Sequence, residues 1–164
     1  MDEADIIKTD GRYIYTVSGR TLSIIRAYPY YQAEVLSTIS YSSPFNPRSL
    51  FIEGDFMAVF GTTLHPTYRY VTEVKVYNIE NRSSPQFIKS YQFEGWYRDG
   101  RKAKNGFIYI VSNQNLSNRP SPTPWFKLGS IETHLDIDQV FDYSDSHANP
   151  SFVNIFAFDL GKAN

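Results

Sequence analysis

The sequence predicts an all-β fold built from short antiparallel strands. Hydrophobic and polar residues alternate with a period of two along many segments, whereas the three- and four-residue spacing of amphipathic helices is almost absent. β-Branched and aromatic residues dominate these segments. Glycine, proline, asparagine or aspartate interrupts them about every 8 to 12 residues, as expected for strands joined by turns. The clearest predicted strands are Arg12–Ser18, Thr72–Tyr77 and Gly106–Ser112.

Three tight turns divide the chain into repeated units. Asp10-Gly11, Gly54-Asp55 and Asn105-Gly106 each combine residues that tolerate a positive φ, and each separates the first two strands of a unit. The first two units have four predicted strands, and the third has three. The predicted strands are residues 6–9, 13–17, 22–27 and 35–40 in the first unit, 49–52, 56–60, 74–79 and 87–93 in the second, and 98–103, 107–111 and 153–160 in the third.

Four strands in a unit of about 40 residues is the period of a β-propeller blade. The sequence therefore predicts one domain, residues 1–164, that is a partial β-propeller of about two and a half four-stranded antiparallel blades. Because so few blades cannot close a ring, we expect the chain either to self-associate through open blade faces or edges or to be only marginally stable by itself. Blade 1 spans about residues 5–41, blade 2 about 47–93, and partial blade 3 about 97–160 with a long loop insertion at about 113–151.

The beginning of the chain resembles a known family. Residues Asp2–Tyr15 combine an acidic lead-in, a Lys-Thr-Asp-Gly turn and a Tyr-Ile-Tyr strand. They resemble the opening blade of archaeal and bacterial secreted or surface-anchored proteins with a carboxy-terminal β-propeller domain, distantly related to WD-repeat propellers. The resemblance implies a propeller on an extracellular or cell-surface protein and supplies no catalytic residues. Further matches follow in the same order at Ala27–Pro29, Leu50–Asp55, Val74–Ile79 and Asn105–Val111.

Composition excludes several classes of protein. The net charge is −1 at pH 7, so the chain lacks the basic surplus with which proteins bind nucleic acid. It has no cysteine, which excludes disulfides, thiolate metal sites and a cysteine nucleophile. No apolar run approaches the ~18 residues of a membrane span, and the acidic start Met1–Asp5 does not fit a secretion signal. We therefore expect neither a transmembrane nor a signal segment in this chain.

Loops at one end of the blades form the predicted ligand-binding region. In a four-stranded meander successive connections fall on opposite ends, so the tight turns share one face and the longer loops share the other. Loops held by a rigid scaffold commonly carry binding residues, and aromatic rings with hydrogen-bonding groups suit a sugar ring or a peptide. Packing of these aromatics between blades is the alternative. The candidate ligand-binding residues are His65, Tyr68, Arg69, Trp96, Tyr97 and Trp125.

An acidic stretch within the insertion is a candidate metal site. Gly129–Gly161 contains six acidic residues and no lysine or arginine, and calcium takes roughly six to eight oxygen ligands. The stretch lacks the spacing of an EF-hand loop, so a solvated acidic loop is the alternative. No other cofactor is expected. The candidate calcium ligands are Asp136, Asp138, Asp142 and Asp145.

The sequence favours a function without catalysis. It contains no Gly-x-Ser-x-Gly turn and no diagnostic arrangement of serine, histidine and aspartate. We therefore expect a propeller module of a secreted or cell-surface protein that binds protein or carbohydrate through its loop-rich face. Two alternatives stay open, namely a hydrolase whose site is completed only in the full propeller, and a calcium-stabilised surface scaffold.

Overall fold

The computed structural model describes residues 2–66, 69–104, 106–115, 123–141 and 151–162. Within these residues the helical segments are three single 3₁₀ turns, Tyr30–Gln32, Ile137–Gln139 and Leu160–Lys162, and no described helix has the length and apolar character needed to cross a membrane. The remaining elements are strands. They are β1 (Asp2–Glu3), β2 (Ile7–Thr9), β3 (Tyr13–Ser18), β4 (Thr21–Arg26), β5 (Glu34–Ser40), β6 (Asn46–Glu53), β7 (Phe56–His65), β8 (Arg69–Asn78), β9 (Gln86–Glu94), β10 (Trp96–Lys102), β11 (Phe107–Asn115), β12 (Trp125–Leu128), β13 (Ile131–His134) and β14 (Ser151–Asp159).

The order of the strands confirms the partial β-propeller. β2, β3, β4 and β5 follow one another in the sheet of blade 1, and β6, β7, β8 and β9 do so in blade 2. β10, β11 and β14 form blade 3 in the same order. Gly11, Gly54 and Gly106 all adopt positive φ at the turn between the first two strands of a blade, where their lack of a Cβ removes the strain. We refer to the first strand of each blade, β2, β6 or β10, as its inner strand.

Hydrophobic side chains fill the two spaces between neighbouring blades. Alternate residues of blade 2 point to opposite sides, so that Leu50 and Met57 pack toward blade 1 while Phe51 and Phe60 pack toward blade 3. Burial of each large apolar side chain stabilises the fold by about 1.5–3 kcal/mol. Blade 2 is therefore covered on both faces. The cluster between blades 1 and 2 also contains Tyr15, Val17, Leu22, Ile24, Val59 and Tyr77, and that between blades 2 and 3 contains Ala58, Val74, Val76, Phe93, Ile108 and Ile110.

The N-terminal segment, residues 2–5, lies along the edges of two inner strands before the chain enters blade 1. β1 pairs with β10, on the side of β10 that faces away from β11. The backbone N–H of Ala4 donates to the carbonyl of Gly100 at 2.9 Å, and that of Leu50 donates to the carbonyl of Asp5 at 2.8 Å. The acidic lead-in thus satisfies backbone groups at strand edges that would otherwise be unpaired.

Two segments expected as loops contain strands. β7 and β8 continue to His65 and Arg69, so most of the connection between the predicted strands 56–60 and 74–79 is a regular hairpin. Within the insertion, β12 and β13 form a second hairpin, and β12 pairs with β9. Blade 2 consequently belongs to a six-stranded sheet. The other parts of the insertion, 116–122 and 142–150, lie outside the described residues.

Arg82 joins the tight-turn ends of blades 1 and 2. Its guanidinium donates to Asp55 Oδ1 at 2.6 Å and to the Gly54 carbonyl at 3.1 Å, both in the first turn of blade 2. It also donates to the hydroxyl of Tyr15 at 3.2 Å and lies 3.7 Å from Asp10 Oδ2, both in blade 1. Because Tyr15 itself donates to Asp10 at 2.8 Å, these side chains form one connected network, which we call the Arg82 network.

Candidate functional site

A cleft lies where the inner strands of blades 2 and 3 begin. It has a volume of about 410 Å³, and clefts of roughly 300–1,000 Å³ are typical of ligand sites. Since β6 and β10 begin at the end of the blades opposite the tight turns, the cleft belongs to the loop-rich face. We call it the inner-edge cleft. It is lined by residues 4–6 of the N-terminal segment, Arg48 and Ser49 of β6, Thr62 of β7 and residues 96–99 of β10.

Two arginines enter this cleft from equivalent positions in consecutive blades. Arg48 and Arg98 are each the third residue of their inner strand. Each is also the extra residue of a β-bulge, because the pairing register shifts between Pro47 and Ser49 in β6 and between Tyr97 and Asp99 in β10. A bulge redirects the side chain of the inserted residue and is common beside functional sites. The repeated bulge therefore delivers one guanidinium from each blade to the same cleft.

Glycines allow a close approach of the chain beside the bulge of β6 and at the start of β10. A Cβ at Gly61, opposite Pro47, would lie 2.7 Å from the ring of Phe45. Gly95 is the single residue between β9 and β10; its φ is +98°, and a Cβ there would lie 2.8 Å from the carbonyl oxygen of Asn113. The passage from blade 2 to blade 3 through Gly95 consequently places Trp96 and the bulge directly after the last strand of blade 2.

Buried hydrogen bonds hold this passage in place. The hydroxyl of Thr72 donates to the carbonyl of Gly95 at 2.8 Å. The carbonyl of Glu94 accepts from Ser112 Oγ at 2.7 Å and from Asn154 Nδ2 at 3.1 Å. Because these side chains come from β8, β11 and β14, two blades fix the start of β10, so the residues of β10 in the cleft are preorganised.

The charged groups of the cleft differ in whether they already have hydrogen-bond or ion-pair partners within the chain. Asp99 accepts from the backbone N–H of Gly100 at 2.8 Å and from Arg101 Nε at 3.1 Å. Asp5 accepts from its neighbour's backbone N–H. Both Arg48 and Arg98 are exposed, and neither forms an ion pair with any described residue. The guanidiniums are thus the charged groups of the cleft that are available to an incoming partner.

Trp96 provides an aromatic surface beside these charges. Its side chain is 41% exposed, and its ring lies 3.9 Å from the ring of Tyr70, centroid to centroid. Contact with Tyr70 restricts the indole while leaving the remaining surface accessible. A restrained, exposed indole ring can pack against the apolar face of a sugar or against an aliphatic side chain.

Tyr97 forms the floor of the cleft. Its ring stacks on Phe60 with centroids 5.9 Å apart, and its hydroxyl is hydrogen-bonded to that of Ser49 at 2.6 Å. Burial raises the pKa of the Tyr97 hydroxyl to about 12; the charge of Asp99 acts in the same direction, and the hydrogen bond with Ser49 opposes it. Tyr97 is therefore a neutral hydrogen-bonding group at physiological pH.

His65 and Trp125 lie together and are not among the residues that line the cleft. Their ring centroids are 5.2 Å apart, and Trp125 is completely buried where β12 joins the sheet of blade 2. Burial lowers the pKa of His65, and the positive charge of Lys127 acts in the same direction against that of Glu132. Arg69 pairs with His65 in the β7–β8 hairpin, and Tyr68 lies outside the described residues. Of the six candidate ligand-binding residues, Trp96 and Tyr97 line the cleft, whereas His65, Arg69 and Trp125 do not.

The candidate calcium ligands are only partly described. Asp136 and Asp138 lie at the exposed 3₁₀ turn that follows β13, where the backbone N–H of Asp136 donates to Gln139 Oε1 at 3.2 Å. Asp142 and Asp145 lie outside the described residues. Among those that are described, no group of three or more His, Asp or Glu side chains is arranged around a common point.

Comparison with known proteins supports the architecture. The chain matches the family model described as beta propeller domain over residues 1–164. It is also similar to an uncharacterized protein of the archaeon Methanocaldococcus jannaschii, with 26% identity over 129 residues. That match covers 79% of this chain and 18% of the archaeal protein, so the chain spans less than a fifth of this curated relative. No solved structure matches the chain.

Proposed function

Because the chain belongs to the beta propeller domain family, we propose that it is a non-catalytic binding module whose ligand occupies the inner-edge cleft. The observation that carries the proposal is the repeated bulge, which brings Arg48 and Arg98 into one cleft beside the exposed ring of Trp96. Strand pairing alone does not explain a bulge at equivalent positions of two blades, because each bulge removes one position from the ladder of paired residues. The ligand class is a protein or a carbohydrate.

The chemistry of the cleft favours a carbohydrate with an acidic group. Arginine recognises a carboxylate through two parallel hydrogen bonds, which lysine or a backbone N–H does not reproduce. The indole of Trp96 suits the apolar face of a pyranose ring. A uronic acid unit uses all of these groups together.

The setting of the module is part of the proposal. The resemblance of Asp2–Tyr15 to secreted or surface-anchored propellers supports a place outside the cell, where acidic polysaccharides are exposed to solvent. A loop-rich face carrying the cleft would then be directed at a polymer or at a glycosylated neighbour. The activity of any longer polypeptide that contains these residues would add to this binding role.

Titration with a matched pair of sugars tests the proposal. The probes are trimers of galactose and of galacturonic acid, followed by tryptophan fluorescence and by amide NMR shifts. We expect the acidic trimer to bind at least tenfold more tightly, because one charge-assisted pair contributes about 1.5–3 kcal/mol. Arg48→Gln and Arg98→Gln should each reduce that preference, and Trp96→Ala should weaken binding of both trimers.

A control variant separates the cleft from general charge. Arg20→Gln removes an exposed arginine from the turn between β3 and β4, which does not line the cleft. It should leave both affinities unchanged. Binding that responds equally to Arg20→Gln and Arg48→Gln would contradict the assignment of the cleft, as would the absence of any shift at β6 and β10 on saturation.

A further inference from the structure

An asparagine-linked glycosylation motif lies on the tight-turn face, at the end of the blades opposite the inner-edge cleft. Asn81-Arg82-Ser83 has the pattern Asn-x-Ser with a middle residue other than proline. It belongs to the turn between β8 and β9, where the backbone N–H of Ile79 donates to the carbonyl of Asp55 in the first turn of blade 2 at 2.8 Å. We infer that Asn81 is the acceptor of an N-linked glycan. Such a modification rests on the proposed function in one respect, the setting outside the cell, because the acceptor pattern applies to exported proteins.

Two other triplets of the sequence share the Asn-x-Ser pattern, and each differs from the first. Asn149-Pro150-Ser151 has proline in the middle, which excludes it as an acceptor. In Asn115-Leu116-Ser117 the asparagine is the last residue of β11 and pairs with Ser151 of β14, and the remainder of the triplet lies outside the described residues. Asn81-Arg82-Ser83 is thus the permitted triplet whose three residues are all described, and it lies in a turn between strands.

The side chain of Asn81 presents its amide nitrogen to solvent. Oδ1 accepts from the backbone N–H of Ser83 at 3.1 Å, and the Asn81 carbonyl accepts from the backbone N–H of Ser84 at 2.9 Å. Because the two amide heteroatoms lie on opposite sides of Cγ, fixing Oδ1 toward the turn directs Nδ2 away from it. Asn81 is exposed, and Nδ2 has no hydrogen-bond partner among the described residues. The atom that would be bonded to the sugar is therefore accessible.

The other two residues of the motif point in different directions. Ser83 is exposed, and its hydroxyl is not hydrogen-bonded to any residue that the structure describes, so a transferase can reach it. Arg82 instead points toward the protein, where its side chain is 15% exposed and donates to Asp55 and Tyr15 in the Arg82 network. The turn is consequently anchored through its middle residue, while the two residues that the glycosylation reaction requires face outward.

Modification would attach an oligosaccharide through the side-chain amide of Asn81. The donor is a lipid-linked glycosyl phosphate or pyrophosphate, and the catalyst is an oligosaccharyltransferase. A bond forms between Asn81 Nδ2 and the anomeric carbon of the first sugar, while the bond between that carbon and the phosphate oxygen breaks. The lipid phosphate leaves with the electron pair, and one proton of Nδ2 passes to a base of the transferase. The product is a bulky, solubilising group on the surface.

A glycan at this position is compatible with the fold and with a ligand in the inner-edge cleft. Asn81 belongs to neither hydrophobic cluster between the blades and does not line the cleft. The glycan would cover the turns of the tight-turn face and leave the loop-rich face accessible. The glycosylated and unmodified chains should therefore bind the galacturonic acid trimer with equal affinity.

Glycopeptide mapping of the protein purified from its source organism tests the assignment. Trypsin cleaves after Lys75 and Arg82, so residues 76–82 form one peptide that contains both Asn78 and Asn81. We expect this peptide to carry a sugar mass, with fragment ions that place the sugar on Asn81. If protein recovered outside the cell lacks the sugar, the glycan assignment is wrong and the cleft proposal stands. Unmodified protein found inside the cell overturns the proposed setting as well.

Variants secreted from a eukaryotic host, with an added signal sequence, test which residues specify the site. Asn81→Gln and Ser83→Ala should each abolish the glycan, whereas Ser83→Thr keeps a hydroxyl and should retain it. Asn78→Gln is the matched control and should leave the glycan in place. Asn78 forms the same kind of turn, with Oδ1 accepting from the backbone N–H of Glu80 at 2.8 Å, but no serine or threonine follows two positions later. An unmodified Asn81 in a host that glycosylates a co-expressed reference protein, or equal loss of glycan in the Asn78 and Asn81 variants, overturns the assignment.

Discussion

Replacing Arg82 with alanine tests whether side-chain contacts at the tight-turn face hold blades 1 and 2 together. The Arg82 side chain is 15% exposed, and its guanidinium contacts both blades, since it reaches Asp55 and Gly54 in blade 2 and Tyr15 and Asp10 in blade 1. Alanine removes every one of these contacts while leaving the hydrophobic core between the blades untouched. The loss of stability therefore reports the Arg82 network together with the cation–π contact between Arg82 and the ring of Tyr13.

The expected magnitude follows from the exposure of each partner. Asp55 is 54% exposed, so its pair with Arg82 contributes about 0–1 kcal/mol. The contacts with Tyr15 and Asp10 are better shielded, and hydrogen bonds to a charged group contribute about 1.5–3 kcal/mol. We expect Arg82→Ala to lower the free energy of unfolding by about 2–4 kcal/mol. Arg82→Lys should recover only part of this, because an ammonium cannot reach partners in several directions at once.

Urea unfolding followed by circular dichroism measures the change. Arg101→Ala is the control, because Arg101 is 47% exposed and its pairs with Glu3 and Asp99 are solvent-accessible, so its loss should cost about 0–1 kcal/mol. All variants are compared at one protein concentration, since association would make the apparent stability depend on concentration. If Arg82→Ala and Arg101→Ala reduce stability by the same small amount, the shielding argument is wrong.

Three further predictions concern single residues. Gly95→Ala should unfold the β9–β10 junction or cost at least about 2 kcal/mol, measured by urea unfolding, because the new Cβ combines positive φ with a 2.8 Å approach to the Asn113 carbonyl. Trp125→Ala should cost about 3–5 kcal/mol and remove the blue-shifted part of the fluorescence, whereas Trp96→Ala should cost less than about 1 kcal/mol. Burial alone would raise the pKa of Asp10, but hydrogen bonds from backbone and tyrosine donors and the charge of the nearby arginine lower it. The Asp10 carboxylate therefore stabilises the fold at pH values above its unfolded-state pKa near 3.8, and this contribution is lost as the pH falls through the lower pKa of the folded state. The melting temperature of Asp10→Asn should accordingly depend less on pH in that window.

The blades were predictable because their determinants are local. A period of two in Tyr13–Ser18 and a glycine that tolerates positive φ at Gly11 are properties of a few adjacent residues. The hairpin of β12 and β13 was not predictable in the same way. Each of its strands has four residues, and β12 is held in place by pairing with β9, far earlier in the chain. Short strands depend on their neighbours more than on their own sequence.

The candidate site was predicted in part, for a related reason. Trp96 and Tyr97 stand out by composition, and the order of strands places them on the loop-rich face. Arg48 and Arg98 do not stand out, because a bulge is a property of two paired strands and leaves no mark in one of them. Superposing the inner strands of blades 2 and 3 would have identified them, since both occupy the third position. Trp125, equally conspicuous in the sequence, is buried.

The N-terminal segment imposes an order on biosynthesis. Residues 2–5 are synthesised before their partners, Leu50 and residues 100–102, so about a hundred further residues must be added to the nascent chain before this segment can pair fully. Contacts between such distant positions carry the largest loop-closure cost and form late. Each blade can fold as it emerges, and residues 2–5 then dock only after the inner strands of blades 2 and 3 have formed.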